Sequence, residues 1–98
     1  MLRVGFSEFD ITPPVGKLIP GGFTACLTSE PARGKLLATA AAFDVEGDPL
    51  ILVSVDTLSF HVNTADRIRK TVSDETGVPF DRILVAATHT HTGGQTDY

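Results

Sequence analysis

Two runs of almost unbroken apolar residues, Leu50–Val55 and Ile83–Ala87, bracket one amphipathic segment, and this arrangement restricts the chain more than any other feature. A strand that is apolar on both sides has to be covered on both faces. Between the runs, Ala65, Ile68 and Val72 share one helical face, while Arg67, Arg69, Lys70 and Asp74 fall largely outside it. Asn63-Thr64-Ala65-Asp66 offers helix-capping chemistry, and Gly77 and Pro79 supply the stop. Strand, helix and strand in such close succession predict a βαβ unit with parallel strands and a right-handed connection. In open α/β sheets, ligands collect outside the carboxyl ends of parallel strands. Asp56-Thr57 and Thr88-His89-Thr90-His91 leave the two strands at that end.

Upstream, Leu36 to Val45 and Leu50 to Asp56 flank Glu46-Gly47-Asp48-Pro49 and predict an antiparallel hairpin. Leu2 to Phe9 reads as a short strand that Pro13-Pro14 ends, because proline removes a ladder donor and restricts the residue before it. Residues 15–34 are loop-like, punctuated by Gly16, Pro20, Gly21, Gly22, Pro31 and Gly34. A loop of that length is either functional or a surface excursion that packs beneath another part of the protein. The 98 residues are enough for one small domain, with no internal repeat. The expected class is therefore α/β: a mixed sheet with an antiparallel hairpin and a right-handed βαβ crossover.

Composition excludes several roles. Hydrophobic residues make up 42% of the chain, which is globular rather than disordered. A net charge of −4 argues against nucleic-acid and polybasic membrane partners. No apolar run approaches the ~18 residues of a membrane helix, and the start lacks a secretory apolar stretch, so the chain as written reads as cytoplasmic. Cys26 is alone, sits among small and polar residues, and reads as an idle or buried thiol rather than a nucleophile.

The residues with chemistry cluster near the end. His89 and His91 are one residue apart, so extended backbone places both rings on one side, roots roughly 6.5 to 7 Å apart. Two imidazoles so placed can share a metal, or one can bind it while the other works beside it; neutral imidazole is a borderline donor that suits zinc. An H-x-H pair alone is a weak signal, and a ring simply hydrogen-bonded at the strand end is the structural alternative. Gly93-Gly94 is either an ordinary turn or a place where backbone amides approach a substrate oxygen. Asp56 either orients a histidine or caps the loop before the helix. His61 reads as a packed or exposed histidine.

An ordered set of motifs resembles the opening of the neutral/alkaline ceramidase family. It comprises Asp10-Ile11-Thr12-Pro13-Pro14-Val15-Gly16, Gly22-Phe23, Leu36-x-Ala38-x-Ala40, Leu52-Val53-Ser54-Val55-Asp56, Thr76-Gly77-Val78-Pro79 and Ile83-Leu84-Val85-Ala86-Ala87-Thr88-His89-Thr90-His91-Thr92-Gly93. Order and spacing match over nearly the whole chain, and the run through Gly93 is the most specific part. Two positions depart from the family pattern: Gly94 stands where proline is usual, and Ala32-Arg33-Gly34-Lys35 lacks a histidine. The resemblance implies a hydrolase of the amide bond of N-acylsphingosines that uses one zinc ion, with residues 1–98 as the amino-terminal portion of its catalytic domain. It implies that His89 ligates the zinc and that His91 lines the site, holding substrate or developing charge. It also implies further ligands, a histidine, a glutamate and a tyrosine, far downstream of these residues. The expected partner is a small lipid amide. Two alternatives stand beside this reading: a truncated or relic non-catalytic module that pairs with another chain, or with a second copy of itself, through an uncovered sheet edge, and a related metal hydrolase acting on another amide or ester.

Overall fold

The computed structural model describes residues 1–19, 26–27 and 34–94. Its main feature is a four-stranded sheet in the order β1-β4-β5-β6. The strands are β1 (Leu2–Asp10), β4 (Leu37–Val45), β5 (Asp48–Val55) and β6 (Ile83–Ala87). Two short strands, β2 (Leu18–Ile19) and β3 (Cys26–Leu27), form a separate antiparallel pair inside the stretch expected to be loop. The Gly22-Phe23 motif, residues 31–33 and the Cys26 side chain lie outside what is described.

β4 and β5 form the expected hairpin, but its turn is tighter than the four residues anticipated. Only Glu46 and Gly47 lie between the strands, with φ of 52° and 83°. Positive φ at both central residues is the type I′ pattern, whose twist matches that of the flanking strands. Pro49 is consequently inside β5, paired with Asp44. It is tolerated because β6 first pairs with β5 at Ile51, so the missing N–H falls before the stretch flanked on both sides.

β5 and β6 run parallel, in register from Ile51↔Ile83 to Val55↔Ala87, and α1 (Val62–Thr76) makes the crossover. The helix begins one residue before the predicted capping segment, and its cap is His61, whose Nδ1 accepts from Asn63 N at 3.2 Å. Gly77 closes it in the left-handed region at φ 78°, its N–H donating to Ser73 O. The core sits between α1 and β5–β6: Ile51, Val78 and Ile83 are buried, with Val53, Val72 and Val85 packed against them. Arg69, read as an outward residue, instead folds over this core. Its Nε donates to Ile83 O at 2.9 Å, and its guanidinium lies 3.9 Å from the Phe80 ring centroid. Planar geometry and weak hydration suit arginine to this half-buried role.

The opposite face of the sheet has no helix on it among the described residues. Cross-strand partners share a face, so Phe6, Ala41, Leu52 and Leu84 lie together there, with Leu52 and Leu84 exposed. A radius of gyration of 15.2 Å exceeds the ~13 Å of a compact chain of about 100 residues. The architecture is a small, partial α/β unit with one covered face.

Candidate functional site

β1 is antiparallel to β4, β4 is antiparallel to β5, and β6 is parallel to β5, so the carboxyl ends of β1, β5 and β6 lie on one rim. Three segments leave the sheet there: Asp10–Pro14, Asp56–Leu58 and Thr88–Gly94.

The segment after β6 is not extended as the sequence pattern suggested. β6 ends at Ala87, and His89 has φ 67°, in the left-handed region. Histidine enters that region more readily than most non-glycine residues, but the conformation still costs free energy and is held by its surroundings. What holds it is the turn after β5. Val55 O accepts from both Thr57 N and Thr88 N at 2.9 Å. His89 N donates to Thr57 O at 3.0 Å, and His89 Nδ1 lies 2.8 Å from Leu58 O. A carbonyl can only accept, so Nδ1 carries a hydrogen, and in the neutral ring Nε2 then keeps the lone pair. The His89 and His91 rings meet edge to face, centroids 5.1 Å apart and planes at 82°. The rings are neighbours because the chain turns at His89, not because side chains alternate along a strand. Both residues are exposed at the rim.

Gly93 is buried, and its neighbours are the chain's own backbone. A Cβ there would lie 2.9 Å from Asp56 O and 3.0 Å from Thr57 Cα. The close approach that glycine permits is therefore to the β5 turn. Thr57 is buried, 2% exposed, with its Oγ1 donating to Gly94 O at 3.2 Å. Gly94 in turn sits against Pro13, within 3.5 Å of a Cβ built on it, which ties the amino-terminal segment to the rim. Asp56 reaches neither histidine in the hydrogen bonding; its Oδ2 accepts from Leu37 N at 2.9 Å and anchors the start of β4. On β1, Asp10 Oδ1 accepts from Thr12 N at 2.9 Å, and Thr12 Oγ1 accepts from Leu36 N at 2.9 Å. Hydrogen bonding from the Thr12 side chain, then its amide, holds the Asp10 carboxyl below its ordinary value. Thr90 and Thr92 pair their hydroxyls at 3.2 Å within the turn.

Among the described residues, no group of three or more His, Cys, Asp or Glu side chains converges as a metal site would require. The donors present fit a zinc ion as one or two of its ligands, His89 Nε2 foremost, whereas a catalytic zinc takes three from protein. The sequence pointed to the histidines but not to Thr57 or to the Leu58 carbonyl. A backbone acceptor has no residue signature, and Thr57 showed only as the residue following Asp56.

No family model matches the chain, and no curated protein matches its sequence. Among solved structures, the neutral ceramidase from Pseudomonas aeruginosa aligns with a TM-score of 0.72 and 23% identity, covering 96% of this chain and 16% of that one. A ceramidase complexed with C2 aligns with a TM-score of 0.72 and 20% identity, covering 96% of this chain and 15% of that one. At these identities the likeness is one of fold. The chain has the fold of a portion of neutral ceramidase, the family that its ordered motifs resemble, and spans about one-sixth of the length of those structures.

Proposed function

We propose that the chain forms part of the catalytic site of a zinc-dependent amide hydrolase acting on a lipid amide of the N-acylsphingosine type. The observation that carries this is the orientation of His89: Nδ1 is engaged by Leu58 O, and the ring stands beside His91 at the rim where three parallel-running strands end. In this reading His89 is a metal ligand through Nε2, and His91 touches the substrate or the oxygen that gains charge as the amide carbonyl becomes tetrahedral. Lewis acidity towards a carbonyl, and water made nucleophilic near neutral pH, are what zinc supplies when bound. The chain's own contribution is to present one imidazole as a neutral donor, to keep the second within reach, and to hold His89 in a turn bonded to the residues that follow β5. Glycine at 93 lets the loop close on Thr57, so the histidines project from a packed base.

Replacing His89 by Ala in a form that carries the whole catalytic domain should abolish both bound zinc and amide hydrolysis; retention of both removes the assignment. The 98-residue chain by itself should be inactive and hold zinc weakly or not at all, because its described residues lack a third ligand. Tight, stoichiometric zinc binding by that chain would overturn this.

A second reading, an assembly module, is favoured by β1: it is an edge strand exposed along its entire length, with Phe6 and Phe9 outward. Sedimentation at high concentration separates the two readings, since a clean monomer counts against pairing through that edge. Among the described residues no helix is long and apolar enough to cross a membrane.

A further inference from the structure

The hydrogen bonds around the β5 turn form a closed set. Thr57 is pinned on three sides: its N–H donates to Val55 O, its carbonyl accepts from His89 N, and its hydroxyl donates to Gly94 O. Leu58 follows directly, so the Leu58–Ser59 peptide, whose carbonyl takes His89 Nδ1, starts one residue beyond these anchors, and buried Thr57 sets where it begins. The chain leaving β6 is thereby held at both ends of the loop, at Thr88–His89 by backbone bonds and at Gly93–Gly94 by close approach and the Thr57 hydroxyl. The left-handed backbone of His89 lies between these two anchors. Strain of that kind persists only where the surroundings over-determine it.

We propose that Thr57, seated on Gly93, is a positioning residue that sets the tautomer and direction of the His89 ring. A free neutral imidazole favours hydrogen on Nε2, which would leave the outward nitrogen unable to donate a lone pair. Here the Leu58 carbonyl reverses that preference, placing hydrogen on Nδ1 and leaving Nε2 as the acceptor facing the rim. Removal of the Thr57 hydroxyl frees the Gly94 end of the loop, lets the Leu58 peptide rotate, and returns the ring towards its intrinsic tautomer. The consequence for metal binding rests on the zinc reading above; the tautomer itself does not.

The test is ¹⁵N NMR of the histidine rings in the full 98-residue chain, recorded at alkaline pH where imidazoles are neutral. In the unaltered chain, His89 should show a protonated Nδ1 and an unprotonated Nε2. Thr57→Val, which keeps the shape and removes the donor, should shift the His89 ring nitrogens towards each other as the tautomers mix, and Thr57→Ser should restore the original pattern. Gly93→Ala, whose Cβ meets Asp56 O at 2.9 Å, should have the same effect as Thr57→Val. Hydrogen on Nε2 of His89 in the unaltered chain would overturn the proposal, as would a Thr57→Val spectrum with the His89 pattern unchanged. Metal analysis of a form that carries the whole catalytic domain then separates the two levels. Bound zinc whose affinity Thr57→Val weakens about tenfold, the lower range for outer partners of a ligand, supports both. An Nδ1–H tautomer at His89 in the 98-residue chain, with no zinc bound by the longer form, sinks the metal reading and leaves the positioning role standing.

Discussion

The two halves of the sheet differ in how far their side chains are withdrawn from water. In the β5–α1–β6 half, Ile83 is 3% exposed and anchors a cluster that joins strand and helix. In the β1–β4 half, Phe6 is 79% and Phe9 73% exposed, although phenylalanine loses more than isoleucine by staying in water. A local βαβ unit covers itself, because its helix returns across the strands it connects. A hairpin with an added edge strand has no helix of its own to return across it, and among the described residues none does. Truncating the buried residue should therefore cost far more than truncating the larger exposed one. Ile83→Ala should destabilise by about 2–4 kcal/mol in urea unfolding, and Phe6→Ala by no more than about 0.5 kcal/mol. Equal losses would break the comparison and show that β1 is covered in solution.

A second prediction sharpens what covers the tight half. Arg69 donates to Ile83 O and Phe80 O and stacks on the Phe80 ring, so it seals the helix against the start of β6. Arg69→Ala should lower stability by about 1–2 kcal/mol through lost charged hydrogen bonds and lost packing. Arg67→Ala, two residues earlier and exposed, should leave the unfolding midpoint nearly unchanged. If the two variants behave alike, Arg69 is not part of the seal.

Much of this was legible in the sequence, and for identifiable reasons. The paired apolar runs and the helix between them dictate the βαβ unit, since periodicity reports directly on burial. The hairpin followed from Glu46-Gly47 between apolar runs, although Pro49 made the turn look longer than it is. The place of the histidines followed from topology, because strand ends collect sites. What sequence could not convey was backbone conformation fixed from outside. The left-handed His89, the inward role of Gly93 and the carbonyl of Leu58 all depend on a contact between segments some 30 residues apart. The same holds for Arg69, whose charge suggested solvent while its stem and fork found carbonyls and a ring.

The rim of the tight half permits a direct check of that missed conformation. At φ 67° a residue with a Cβ is strained, and glycine is not. His89→Gly should therefore be more stable than His89→Ala by about 1 kcal/mol, measured by urea midpoints. Both variants lose the ring and its bond to Leu58 O, so the difference isolates the backbone. In an extended segment, as the sequence pattern alone suggested, glycine would be the less stable of the two, and that order would return His89 to the strand.

The smallest effect belongs to the rim of the exposed half, at Asp10. Its carboxyl titrates below the ordinary aspartate value because the Thr12 side chain and amide bond to the charged form. The unfolded chain then takes up this proton first as pH falls. The stabilisation is fully present above the ordinary value, and it is lost as pH drops through the lowered one, so stability rises with pH across that window. Asp10→Asn retains an oxygen to accept from Thr12 N but cannot titrate, so its stability should vary less steeply with pH there than that of the unaltered chain. The exposure of Asp10 limits the effect, since water competes for the same hydrogen bonds. Parallel pH profiles for the two chains would mean that the charge of Asp10 adds nothing to folding.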